Sequence, residues 1–229
     1  MRCSIAGLDV ELACVGRTRV QAEAYRTAAC ASPPQISISV DARAALRRMP
    51  ELGDEETAEY LLTGDRFALS LLEHEGFMLH AAAVCCHGRA VCFSATPGVG
   101  KSTLAEKWQR LFGAWILNDD KPALRRTGGS WRAYGTPWAG KSGLNRNDDA
   151  PLAAVCFLFR GRPAAIERLD PARALPLLMS QTLFQLKQAR MELLLPLADD
   201  LLRKVPAWGL RCGLSDEGAE LAHRTLFPL

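Results

Sequence analysis

The stretch Ser94-Ala95-Thr96-Pro97-Gly98-Val99-Gly100-Lys101-Ser102-Thr103 carries residue types that can hold a polyphosphate. Glycines let backbone N–H groups curl round phosphate oxygens, and the N-terminus of a following helix adds a favourable dipole. Lys101 would bring a positive charge to the β- and γ-phosphates. The Ser102 hydroxyl is a hard oxygen ligand of the kind Mg²⁺ takes. The cradle so read is Thr96, Pro97, Gly98, Val99, Gly100, Lys101, Ser102 and Thr103. Two features depart from the usual pattern. Ala95 stands where a first glycine is expected and serves there only if its φ is negative. Pro97 removes one backbone donor. A tight glycine turn before a surface helix is the competing reading. The apolar strand before the loop and the helical pattern after it favour a nucleoside triphosphate site.

A second group lies 18 and 19 residues beyond Lys101, where Asn118-Asp119-Asp120 ends the short apolar run AWIL (114–117). Ligands of open α/β sheets sit at the carboxyl ends of strands. One acid there could hold Mg²⁺ and the other accept a proton from an attacking hydroxyl. Which does which stays open, as does a plain polar turn. His80, read as mid-strand one hairpin upstream, is either a satisfied sheet histidine or a catalytic one. Gly135-Thr136-Pro137-Trp138-Ala139-Gly140-Lys141-Ser142 is a second glycine-rich, basic loop. Through Lys141 it could touch phosphate or cover a substrate, or it could be an ordinary connection.

The elements that must position these residues follow from the periodicity. FMLHAAAV (77–84) and AVCFSA (90–95) are apolar runs joined by Cys86-His87-Gly88-Arg89, which predicts a β-hairpin. A helix is expected from Lys101 to about Leu111, stopped by Gly113. PALRR and WRAYG read as strands, AAVCFLFR (153–160) and AIERL as a strand pair, and PAWGLRC as a late strand. Helical patterns cover 171–203 and 215–226. The first seventy residues form a lead-in, with strand-like pieces near 3–14 and 35–41 and helices near 54–62 and 65–75, Gly76 closing the second. The expected class is α/β or mixed α+β, with a β-rich lead-in over 1–70 and a nucleotide-binding domain over 71–229.

Composition narrows the classes. The 229 residues are 48% hydrophobic and 23% charged with a net charge of +3, too weak a surplus to argue for nucleic acid or an anionic membrane. Six of the 28 cations are lysines, and three of these, Lys101, Lys121 and Lys141, fall in the segments assigned to phosphate. Asp9 and Glu11 interrupt the place where a signal peptide would be apolar, and no run reaches the ~18 residues of a membrane span. The eight cysteines include no CxxC pair, and none of the four histidines has metal-ligand spacing to a cysteine. Idle thiols in a reducing cytoplasm are expected.

Taken in order, LHAAAV (79–84), ATPGVGKST (95–103), ILNDDKPALR (116–125) and YGTPWAGKSGLN (134–145) resemble the HPr kinase/phosphorylase-like family. The resemblance is closer to its small bacterial members, some of which are serine kinases of lasso-peptide precursors, and it covers about 70–229. It implies a fold shared with ATP-dependent phosphoenolpyruvate carboxykinase and ATP- and Mg²⁺-dependent phosphorylation of a hydroxyl, often a protein serine. By position, Lys101 and Ser102 become the phosphate and Mg²⁺ residues. The Asp119-Asp120 pair holds the general base and a Mg²⁺ ligand, with Asp120 favoured as base. His80 becomes the histidine beside the transferred phosphate. The C-terminal segment used for phosphorolysis is not found, so kinase-only activity is expected. The alternatives are a nucleotide-binding regulatory module and a kinase of a small metabolite. A peptide could add to the edge strand of the lead-in. The apolar faces within 171–203 are read as core or, alternatively, as a contact with a second copy.

Overall fold

The computed structural model describes residues 1–28, 31–182, 188–213 and 215–228. The lead-in opens with β1 (Arg2–Ile5) and β2 (Leu8–Leu12), an antiparallel pair, and β3 (Ile36–Ile38) adds parallel to β2 at the edge of this three-stranded sheet. The segment near 3–14 is thus two strands rather than one. Ala6 and Gly7 both take positive φ (53° and 69°), the conformation that lets a two-residue turn match strand twist. Helices α1 (Gly16–Ala22), α2 (Ala42–Arg48) and α3 (Glu55–Leu71) follow.

α3 runs unbroken where two helices were expected. Asp54 caps it by accepting from Thr57 N, and Gly64 lies inside it rather than ending a segment. A Cβ at Gly64 would come within 2.9 Å of Trp138 Cδ1, so this glycine serves close packing, not helix termination. Gly76 likewise does not close a helix. It begins β4 (Gly76–Met78), after Glu75 reverses the chain at φ 60°.

The remaining elements are β5 (Ala81–Cys86), β6 (Arg89–Ser94), α4 (Lys101–Phe112), β7 (Trp115–Asn118), β8 (Ala123–Thr127), β9 (Ser130–Tyr134), β10 (Asp149–Arg160), β11 (Ala165–Leu169), α5 (Pro171–Ser180), α6 (Gln188–Lys204), β12 (Ala207–Cys212) and α7 (Glu217–Leu226). They form one curled mixed sheet. One arm runs β11-β12-β10-β6-β5-β7, with β10 parallel to both β6 and β12. The other arm runs β4-β8-β9-β10, antiparallel throughout. β10 belongs to both: Asp149–Pro151 pair with β9, and the residues beyond pair with β6 and β12. β11 pairs with β12, not with β10 as its sequence neighbourhood suggested. The crossover through α5 and α6 inserts β12 between them, since parallel strands need such a long connection. Residues 183–187 of the expected helical stretch lie outside the described residues.

The apolar runs are continuous because this sheet is covered on both faces. Along β5, Ala81, Ala83 and Cys85 face a core closed by α5 and α6, while Ala82, Val84 and Cys86 face one closed by α4 and α7. A third cluster joins the lead-in to the rest: Ile5, Leu8 and Tyr25 pack with Phe67, Met78 and Trp138. On α6, Leu194, Ala198 and Leu201 are buried and Leu193 and Leu195 exposed. No helix among the described residues is long and apolar enough to cross a membrane.

Candidate active site

The phosphate-loop candidate leaves the end of β6 at Ser94 and enters α4 through Gly100, whose φ is 119°. Gly98 has φ 79°, and nothing lies within 4 Å of a Cβ built at either glycine, so these residues set the backbone path and leave the space before it open. Ala95 is not among the positive-φ residues, which removes the steric objection to alanine there. Lys101 is only 8% exposed, and its Nζ donates to Ala95 O at 2.9 Å, the one hydrogen bond it makes among the described residues. Burial draws its pKa below the usual lysine value, and the nearby Asp120 carboxylate opposes that. Thr96, Pro97, Gly98, Ser102 and Thr103 are exposed and Val99 and Gly100 half-buried along the same rim. Arg160, at the end of β10, also reaches this loop and donates to Gly98 O.

The acid pair follows β7, and Asn118 shapes its turn. Asn118 is fully buried, accepts from the backbone N–H groups of Asp120 (2.9 Å) and Lys121 (2.6 Å), and donates to Thr136 O at 3.0 Å. The two acids diverge. Asp119 is 7% exposed and turns toward the 135–145 loop, its Oδ1 accepting from Gly140 N at 2.6 Å. Burial pushes its carboxyl above the ordinary range, against the pull of that N–H. Asp120 turns toward His80, with Oδ1 3.3 Å from His80 Nε2. Burial raises Asp120 as well. The hydrogen bond and charge of His80, with the charges of Lys121 and Lys101, outweigh it and hold the carboxyl below the ordinary range.

His80 is not in the middle of a strand. It occupies the break between β4 and β5, where the chain passes from one arm of the sheet to the other. Its backbone N–H donates to Gln181 O at 2.8 Å, and its Nδ1 lies 3.1 Å from Gln181 Oε1. The ring thereby spans from Asp120 to the end of α5. Beside it a cavity of about 260 Å³ is lined by Asp65, Met78, His80, Asp120, Lys121 and Gln181, among others.

The second glycine-rich loop is largely buried and is tied to the lead-in. Trp138 is fully buried, stacks on Phe67 with ring centroids 4.9 Å apart, and donates to Thr63 Oγ1 at 3.1 Å. Tyr60 Oη accepts from Ala139 N at 2.5 Å and donates to Ala139 O at 2.7 Å. Arg17 lies over the Tyr60 ring, 3.9 Å from its centroid, and donates to Gly140 O at 3.1 Å. Lys141 is exposed, and no hydrogen bond or ion pair joins it to another described residue.

The fold therefore brings Lys101, Asp120 and His80 together and holds Asp119 beside them, while the exposed Lys141 directly follows Gly140, which lies against both acids. Sequence reasoning missed Asn118, Gln181, Arg160, Tyr60 and Arg17. The signal for Asn118 was present, since Asn before two acids at a strand end is a turn-forming type. Arg17, Tyr60, Arg160 and Gln181 have no local signal, because each comes from a distant segment.

No protein-family model and no curated protein matches the chain. Among solved structures it is similar to the Hpr(Ser) kinase/phosphatase from Coxiella burnetii, with 13% sequence identity, a TM-score of 0.37, and coverage of 65% of this chain and 96% of that one. So loose a superposition carries no argument about chemistry.

Proposed function

We propose that this chain is an ATP-dependent kinase that transfers the γ-phosphate to a hydroxyl, that of a serine in a peptide or protein. The observation that carries the reading is the convergence of Lys101, Asp120 and His80 between a glycine loop and a cavity. A buried ammonium with one carbonyl partner, at the foot of an open loop on a helix N-terminus, is a fit for phosphate. The nearby hydroxyl and carboxylates are hard oxygen donors, a fit for Mg²⁺. Ser102 with Asp119 or Asp120 would hold that ion, which would neutralise charge on the transferred group.

Lys101, with the backbone of 96–103, orients the phosphates. The acceptor hydroxyl enters from the cavity side, next to Asp120. Its O–H proton passes to the Asp120 carboxylate as its oxygen bonds to the γ-phosphorus, and the bond to the leaving ADP oxygen breaks. Asp120 is ionised at neutral pH, so it is ready to accept, and His80 fixes its orientation from one side. Positioning and charge neutralisation supply most of the acceleration.

The test is incubation with γ-labelled ATP, Mg²⁺ and serine-containing peptides, read by mass gain of one phosphate. Lys101→Ala is expected to abolish transfer. Asp120→Asn is expected to keep nucleotide binding and lose transfer by about 10²–10⁴-fold. Near-normal transfer by Asp120→Asn would overturn the base assignment. ADP release with no phosphorylated acceptor would favour a regulatory nucleotide-binding module. The modest cavity supports a second reading, a small hydroxyl metabolite as acceptor, which the same assay distinguishes by adding small alcohols and sugars.

A further inference from the structure

At the end of the sheet away from the phosphate loop, three metal-ligating side chains meet. Cys86 ends β5, His87 opens the turn to β6, and His223 lies on α7, in the chain's last helix. Their ligand atoms all lie within 4.8 Å of one another. His87 Nε2 is 3.4 Å from His223 Nε2, and Cys86 Sγ is 3.8 Å from that same nitrogen. In a tetrahedral zinc site, with Zn–N about 2.0–2.1 Å and Zn–S about 2.3 Å, neighbouring ligand atoms stand about 3.4 Å (N to N) and about 3.6 Å (N to S) apart. The two distances are close to those edges before any ion is added.

We propose that Cys86, His87 and His223 form a Zn²⁺ site that clamps the β5–β6 turn to the C-terminal helix. A thiolate with two imidazoles is a borderline-soft donor set that suits zinc and poorly suits Mg²⁺ or Ca²⁺. Adjacent strand residues point to opposite faces, and for that reason Cys86 and His87 have no metal spacing on paper. The turn changes this: His87 takes φ 50° and Gly88 φ 72°, bringing the two side chains onto one side. His223 is held in place before binding, its ring stacked on Phe112 at 4.0 Å and edge-on to the buried Trp108 at 5.4 Å. Phe227, 5.4 Å from the His87 ring, extends this apolar wall. Cys86 Sγ has one further hydrogen-bond partner among the described residues, Phe112 O at 3.9 Å. His87 is exposed, so water can complete the fourth position. Six strand residues separate His80 from this site, about 20 Å at ~3.3 Å per residue, so its role is structural rather than catalytic.

The experiment uses the full chain, purified with a non-thiol reductant and stripped with a chelator. Zn²⁺ is then titrated against a chromophoric competitor, and Co²⁺ is used as a spectroscopic probe. One equivalent should bind, raising the melting temperature, and Co²⁺ should give a thiolate charge-transfer band that Cys86→Ala removes. His87→Ala changes an exposed turn residue and is the deciding variant. It should keep the native circular dichroism and weaken Zn²⁺ binding by more than about 100-fold, since even outer-shell partners of a metal are worth about 10–100-fold. Cys14→Ser, which changes a thiol packed against the lead-in cluster and not part of this group, should bind as the wild type does. Absence of stoichiometric uptake, or a folded His87→Ala chain that binds as tightly as wild type, would overturn the proposal. In that case the two imidazoles are simply a hydrogen-bonded pair.

Discussion

Tyr60→Phe isolates what the lead-in does for the site. The substitution removes one oxygen and keeps the ring, so the Arg17 stacking at 3.9 Å and the surrounding packing are retained. What is lost is the acceptor of Ala139 N–H, which has no other partner among the described residues, together with the donor to Ala139 O. The carbonyl keeps Arg17 Nη2 at 3.3 Å, whereas the N–H is orphaned in a residue that is 3% exposed. An unsatisfied buried amide costs about 1–3 kcal/mol. For a chain of this length each kcal/mol moves the melting temperature by about 2–4 °C, so a drop of roughly 2–12 °C is expected. Thermal and urea unfolding, followed by two probes to check two-state behaviour, measure it. The next residue, Gly140, holds Asp119, so phosphoryl transfer should fall alongside stability. A melting temperature within about 1 °C of wild type would show that the loop is anchored by other contacts and refute the reasoning.

Two further substitutions read other parts of the structure. Asp119→Asn keeps an oxygen to accept from Gly140 N while removing a buried charge. The native carboxyl titrates above the ordinary value, so the folded state binds more protons than the unfolded one in that window, and stability falls as pH rises through it. The variant should therefore be more stable than wild type at pH 7, lose that advantage as the pH falls below about 4, and transfer phosphate poorly. An unfolding difference that does not change with pH would sink this account. Gly64→Ala sets about 1 kcal/mol of gained helix propensity against about 1–3 kcal/mol of overpacking. Because the added Cβ would meet a fully buried Trp138 at 2.9 Å, clamped against Phe67, overpacking wins and chemical denaturation should register a net loss.

The parts of the fold legible in the sequence are those encoded over short distances. The strand, glycine loop and helix of 90–112 are contiguous, so their residue types alone specify the local conformation. The Cys86–Arg89 hairpin and the acids at the end of β7 are legible for the same reason. The misread places involve choices made between segments. The two helices expected near 54–62 and 65–75 are joined in α3, where Gly64 leaves room for Trp138 from a loop 74 residues later in the chain. β11 appears to be the partner of β10 until a crossover delivers β12 between them.

The candidate site divides along the same line. By itself the sequence determined a glycine-rich loop, with a lysine and a hydroxyl, between a strand and a helix, and two acids at a strand's carboxyl end. Only the tertiary structure decided that Asp120 faces His80 and the cavity while Asp119 turns to Gly140. It also decided that Lys141 is exposed and that Cys86, His87 and His223 share a corner. The physical reason is that backbone conformation follows from neighbours in sequence, whereas a side chain's charge state and partner follow from neighbours in space. The neighbours of Asp120, His80 and Cys86 are supplied by segments up to 137 residues away.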